Sequence, residues 1–283
     1  MTAAAPGAPA LPHVPEPADF DTYWAAVAAE LDRTEVAPEI ELIPLRSSAE
    51  VRVYGLRFTS IGPYRLFAYY AVPASYADGR TEGTPTGKPP GVEVRLPGYA
   101  SVVGVPVGGL DRRWTSKRAV LALCHRGQRL SDRPYAAAFP GLLTDGIESP
   151  KTYVWRGIVA DACRAIDAVL TRGEDEIDRT DVVVAGNDLA LFVAMLRGHA
   201  LTSVRAAPHL FYRLAETLPA TAEYPLEEFN DYLRTYPTRV QAVAQTLSYF
   251  DPLAAARRAA CRVEVGAGET LGALRPALAG GRG

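Results

Sequence analysis

The spacing of apolar residues changes period several times along the chain, and each change predicts an element. Phe20, Trp24, Val27 and Leu31 recur at helical spacing behind Asp19, a residue suited to an N-cap, so residues 19–31 are expected to form an amphipathic helix. Residues 39–45 suggest a short strand. Residues 51–59 and 64–72 alternate apolar and polar, as two antiparallel strands joined around Gly62-Pro63 would. Gly, Thr and Pro make 79–90 a loop. Strands follow at 92–96 and 118–124, each leading into a small or polar loop: Pro97-Gly98-Tyr99-Ala100-Ser101 and His125-Arg126-Gly127-Gln128. A long helix is expected to follow Ser149-Pro150 and run to Leu170, with Ile158, Val159, Ala162, Ile166 and Val169 inward. Residues 204–207 read as a strand ending at Pro208-His209, and 262–265 as the last strand. Between them, 211–259 is mostly helical, broken by Pro219, Pro225, Pro237 and Pro252, and reads as an insertion over the sheet edge.

The most informative stretch is 181–196. A β-branched run, Val182-Val183-Val184, predicts a strand buried on both faces. Gly186 and Ala190 flank Asp188 at a distance of two, and then Leu189, Phe192, Val193 and Leu196 fall on one helical face. Strand, tight turn and helix with small residues around the apex is the layout of a nucleophile elbow, a strained bend that presents one side chain at a strand end. Alternating strands and helices make the chain an α/β protein, a doubly wound, mostly parallel sheet with flanking helices. Residues 18–283 are expected to form one domain, behind a mobile tail at 1–17 rich in Ala and Pro.

Composition narrows this little further. The 283 residues are 48% apolar and 22% charged with net charge −2, which gives no electrostatic reason to expect nucleic acid or an anionic membrane. No apolar run reaches the roughly 20 residues that span a bilayer. The N-terminus lacks the charged start and apolar core of a signal peptide, and Cys124, Cys163 and Cys261 are odd in number and far apart, so a cytoplasmic location with reduced thiols is expected. There is no Gly-rich phosphate loop, close cysteine pair, dinucleotide fingerprint or metal-ligand spacing, so neither a cofactor nor a metal is expected.

Several stretches, in order, are similar to the acetyl xylan esterase and cephalosporin C deacetylase family of α/β-hydrolases. They are Phe20-Asp21-Thr22-Tyr23-Trp24, Gly98-Tyr99, Arg126-Gly127-Gln128, Gly146-Ile147 with Tyr153, the elbow, and Leu247-Ser248-Tyr249-Phe250-Asp251. The resemblance implies an α/β-hydrolase fold with the site at the strand C-termini, deacetylation of small sugars, xylo-oligosaccharides or cephalosporin C, and a homo-oligomer. The family elbow reads Gly-Gly-Ser-Gln-Gly, whereas Gly186-Asn187-Asp188-Leu189-Ala190 stands here, with Asp in place of the nucleophile. The family's His-Gly-Tyr is Pro97-Gly98-Tyr99, the nearest residue to its triad acid is Glu269, and its histidine belongs to a loop past Gly283, so a C-terminally truncated version is expected. Without a serine and an imidazole base the acyl-transfer relay is unavailable.

Asp188 is therefore the first candidate, as a base for cyclisation, dehydration or isomerisation of a small specialised metabolite. His125 and His209, each following a strand, are its candidate partners. The backbone amides of Tyr99 and Leu189, which the resemblance places in the oxyanion hole, are candidate anion donors. Glu269 and Tyr153 complete the candidate ligand-binding set. The competing expectation is a protein without catalysis, in which Asp188 merely caps a helix and the fold serves as a binding or interaction subunit. A residual deacetylase is the third. The partner expected in every case is a small-molecule ligand.

Overall fold

The computed structural model describes residues 8–81, 88–99, 118–131, 140–173, 176–208 and 210–266. Eight strands form one sheet: β1 (Glu39–Leu42), β2 (Val51–Ser60), β3 (Tyr64–Pro73), β4 (Val92–Arg95), β5 (Ala119–Cys124), β6 (Val182–Gly186), β7 (Ser203–Ala206) and β8 (Arg262–Val265). Their spatial order is β1-β2-β3-β5-β4-β6-β7-β8. The first three strands and the β3–β5 pair are antiparallel, and β5-β4-β6-β7-β8 is parallel throughout. The order reverses at β4, whose neighbours β5 and β6 both follow it in sequence, and a ligand crevice is expected outside the strand C-termini at such a point.

Helices α1 (Phe20–Arg33), α2 (Ala74–Thr81), α3 (Val154–Leu170) and α4 (Asp188–Arg197) precede the helical segment, which holds α5 (Leu214–Thr217), α6 (Glu227–Thr235), α7 (Val240–Leu247) and α8 (Pro252–Arg257). The expected stripe of α1, from Phe20 to Leu31, is buried, and Trp24 packs edge-on against Phe250 with centroids 5.4 Å apart. The main core joins α1, α3, α4 and α8 to one face of the sheet. A smaller cluster of Val51, Val53, Phe67, Tyr69, Val120 and Cys124 lies on the other. Beside it, Glu93 bridges Arg95 (2.7 Å) and Arg205 (2.6 Å), a polar row on a parallel sheet.

Four expectations change. Residues 74–81 form α2, where the glycine-containing composition argued for a loop from residue 79. The segment read as a mobile tail is partly docked: Leu11 is buried, and Glu16 pairs with Arg257 and Arg258. The insertion does not simply cover the sheet edge, because α6 reaches over the strand C-termini to the loop after β4. The elbow apex carries no left-handed strain, since Asp188 opens α4 and the positive-φ residues other than glycine are Ala37, Arg129 and Arg213 among the described residues. No helix of the described residues is long and apolar enough to cross a membrane.

Candidate active site

The strand-turn-helix unit is present as the pattern requires: β6 ends at Gly186, Asn187 makes the turn, and α4 starts at Asp188. A Cβ on Gly186 would meet Leu96 at 2.8 Å, so the close approach of the loop after β4 explains the small residue. Asn187, not Asp188, is the N-cap: its Oδ1 accepts the Leu189 amide at 3.2 Å. That amide, expected to face an anion, is already taken.

Asp188 instead reaches forward past β7. Its two carboxylate oxygens accept the backbone N–H groups of Leu210 (3.0 Å) and Phe211 (3.1 Å), and the residue is 1% exposed. A carboxylate placed this way ties the start of the helical segment to the elbow. Only a long-range hydrogen bond reveals this, so local sequence spacing had no means of assigning it.

Pro97-Gly98-Tyr99 is fastened from two sides. Gln128 Nε2 donates to the Gly98 carbonyl at 3.2 Å, and Asn187 Nδ2 lies 3.5 Å from the Pro97 carbonyl. The Tyr99 hydroxyl donates to Glu228 on α6 and accepts the Leu142 amide at 3.1 Å, while the Leu143 amide donates to the other Glu228 oxygen at 3.0 Å. Glu228 was not a sequence candidate. It sits inside a helical stretch whose pattern marks only core and surface, and its neighbour Tyr224, whose ring lies 5.6 Å from that of Tyr99, is the sole local hint of a polar cluster.

Burial pushes the Glu228 carboxyl above its ordinary value, against the lowering influence of Tyr99 and the Leu143 amide. The same burial, reinforced by Glu228, raises the Tyr99 phenol. With the folded-state value raised, the stabilisation from Glu228 is complete below the ordinary carboxylate value of about 4.5 and fades as pH rises through the raised value. Glu228→Gln is therefore expected to lose less stability than the parent as pH rises above about 4.5. Urea titrations at several pH values check this, and parallel pH dependences would contradict it.

His125, directly after β5, is completely buried. Its Nδ1 lies 2.7 Å from the Arg126 carbonyl, and its Nε2 has no partner among the described residues, so it makes no hydrogen bond to Asp188. Burial holds its imidazole below the usual histidine range. The adjoining Arg126 is committed elsewhere, its guanidinium gripping the buried Asp161 of α3 at 2.9 and 2.8 Å and stacking over Tyr64. Gly157 leaves no room for a Cβ beside that guanidinium, which lets the pair form across α3. Tyr153 is a core residue, 1% exposed, whose hydroxyl donates to the Leu143 carbonyl at 2.7 Å and whose ring packs on Phe250. It also lines a cavity with Arg126, Thr152 and Gly157. His209 and Glu269 lie outside the described residues.

The arrangement thus brings together Asp188, Asn187, the loop at Tyr99, and Glu228, and His125 is not hydrogen-bonded to them. The acetyl xylan esterase family model (AXE1) matches residues 11–272. Among solved structures, the acetyl xylan esterase from Paenibacillus sp. R4 is 23% identical with a TM-score of 0.75, covering 96% of this chain and 85% of that one. Acetyl xylan esterase 1 from Thermoanaerobacterium sp. JW/SL YS485 is 22% identical with a TM-score of 0.74 over the same shares. At that identity the likeness establishes an α/β-hydrolase fold, and the family match carries the assignment further: the chain belongs to the acetyl xylan esterase family.

Proposed function

We propose that this chain uses the acetyl xylan esterase scaffold to bind a small metabolite in the crevice at the strand C-termini, without cleaving esters through a serine relay. One observation carries the reading: both carboxylate oxygens of Asp188, at the position where the resemblance puts the nucleophile, are engaged by the Leu210 and Phe211 amides. A side chain occupied in this way anchors the helical segment over the crevice. The Leu189 amide, bound by Asn187, is likewise spoken for, which removes one of the two donors an oxyanion would need. This supports a binding role over proton transfer by Asp188.

The test is hydrolysis of p-nitrophenyl acetate. The expected result is a rate equal to that of buffer with an equal concentration of an inert protein, and no change in the Asp188→Ala variant. Turnover that disappears in Asp188→Ala would overturn the proposal. Proton-transfer chemistry is separated by Asp188→Asn, which would abolish conversion of a metabolite substrate if the carboxylate were its base and leave ligand affinity largely unchanged if it is an anchor.

A further inference from the structure

At the other end of the sheet from the crevice lies a cavity of about 340 Å³, lined by Ile40 on β1, Tyr54 on β2, Tyr70 and Val72 on β3, and Tyr76 and Ala77 on α2. The strand register fixes its position: Tyr70 and Ala71 pair with Leu121 and Val120 at the start of β5, whereas the crevice lies beyond the strand C-termini. Tyr54 and Tyr70 are cross-strand partners, with ring centroids 6.5 Å apart and planes inclined by 39°. Tyr70, Val72 and Tyr76 belong to the main core, while Ile40 at the sheet edge is 39% exposed, so the space connects core to solvent. Ala77 is too small to fill it from α2. The residues after α2, Glu82-Gly83-Thr84-Pro85-Thr86-Gly87, include no large apolar side chain that could fill it.

Three tyrosine rings beside aliphatic side chains suit a flat ring, which gains most from stacked or edge-on contact. The volume is at the small end of the roughly 300–1,000 Å³ that ligand pockets occupy, enough for one or two fused rings. Charge sets the second requirement. Arg172 and Glu176, which complete the lining, bind each other at 2.6 Å, and Arg52 and Asp78 pair at 2.5 Å, both pairs close enough to act on the Tyr54 phenol. Burial pushes that phenol above its ordinary value, so it stays uncharged at neutral pH. An ionic ligand would either enter an apolar space without a counter-charge or break one of these pairs. We propose that this cavity is a second binding site, which takes a neutral, planar aromatic molecule of one or two rings. It is separate from the crevice and does not depend on the reading of Asp188.

The probe is naphthol, compared with naphthoate, which keeps the ring system and adds a carboxylate. Calorimetric titration of the full chain at neutral pH measures both. Naphthol is expected to bind at least about tenfold more tightly than naphthoate, because the carboxylate loses its hydration without gaining a partner. Ala77→Trp places a bulky ring where the ligand would lie and is expected to abolish naphthol binding. Ile40→Trp, at the exposed side of the cavity, is expected to weaken it. On the unaltered protein, nuclear Overhauser contacts are expected between the naphthol ring and the methyl groups of Val72 and Ala77, which locates the ligand even if a variant fails to fold. Absence of naphthol binding up to about 1 mM, equal affinities for the two probes, or affinity unchanged in a folded Ala77→Trp protein would each overturn the proposal. So would Overhauser contacts to Tyr99 in place of Val72 and Ala77, since the crevice would then be the occupied site.

Discussion

Asp188→Ala is expected to lower the melting temperature by roughly 10 °C, equivalent to about 3–5 kcal/mol for a chain of this size. The loss comes from two buried backbone donors. Leu210 and Phe211 each give an N–H to the carboxylate, and both residues are buried, so neither amide regains water when the acceptor goes. Hydrogen bonds to a charged acceptor are worth about 1.5–3 kcal/mol each, and orphaning a buried donor adds to the cost. Asp188→Asn keeps one acceptor oxygen but turns its NH2 toward the second amide, so about half of the loss is expected. Thermal melts of the two variants check the order. A drop of only a degree or two in Asp188→Ala would show that the carboxylate is not an anchor.

A comparable effect is expected at the Arg126–Asp161 pair. Asp161 is fully buried and accepts from Arg126 through its backbone N–H (3.0 Å), Nε (2.9 Å) and Nη2 (2.8 Å). Asp161→Ala leaves a guanidinium buried against Tyr64 without the carboxylate that grips it, a change that costs about 3–5 kcal/mol. The double variant Asp161→Leu with Arg126→Met is expected to recover a large part of that, because the cost arises from the stranded charge more than from the lost attraction. Calorimetry of the parent, Asp161→Ala and the double variant measures it, and a double variant no more stable than Asp161→Ala would refute the argument.

The sequence made much of this fold legible, and the reasons are local. The run Val182-Val183-Val184 followed by the period change at Leu189 identified β6 and α4, because strand and helix imprint different spacings on buried positions. The prolines at 219, 225, 237 and 252 delimited the helices of the segment, since none of them supplies a backbone donor. What escaped was long-range. Asn187 and Asp188 are adjacent and both suit an N-cap, and only the position of Leu210 and Phe211, more than twenty residues on, decides that the first caps and the second anchors. Glu228 escaped for the same reason: its partners Tyr99 and Leu143 come from two other parts of the chain. His125 was correctly placed at a strand end, but its separation from Asp188 follows from β4 lying between β5 and β6, which spacing along the chain does not encode.

The Asn187 cap bears on what a substitution at this elbow can do. Asp188→Ser would leave the Leu189 N–H occupied, and it would also release the segment that Asp188 holds. Freeing that N–H takes a change at Asn187 as well, and either step taken alone carries a penalty. The adjacent pair therefore acts as a latch, in which each residue limits what a change at the other accomplishes.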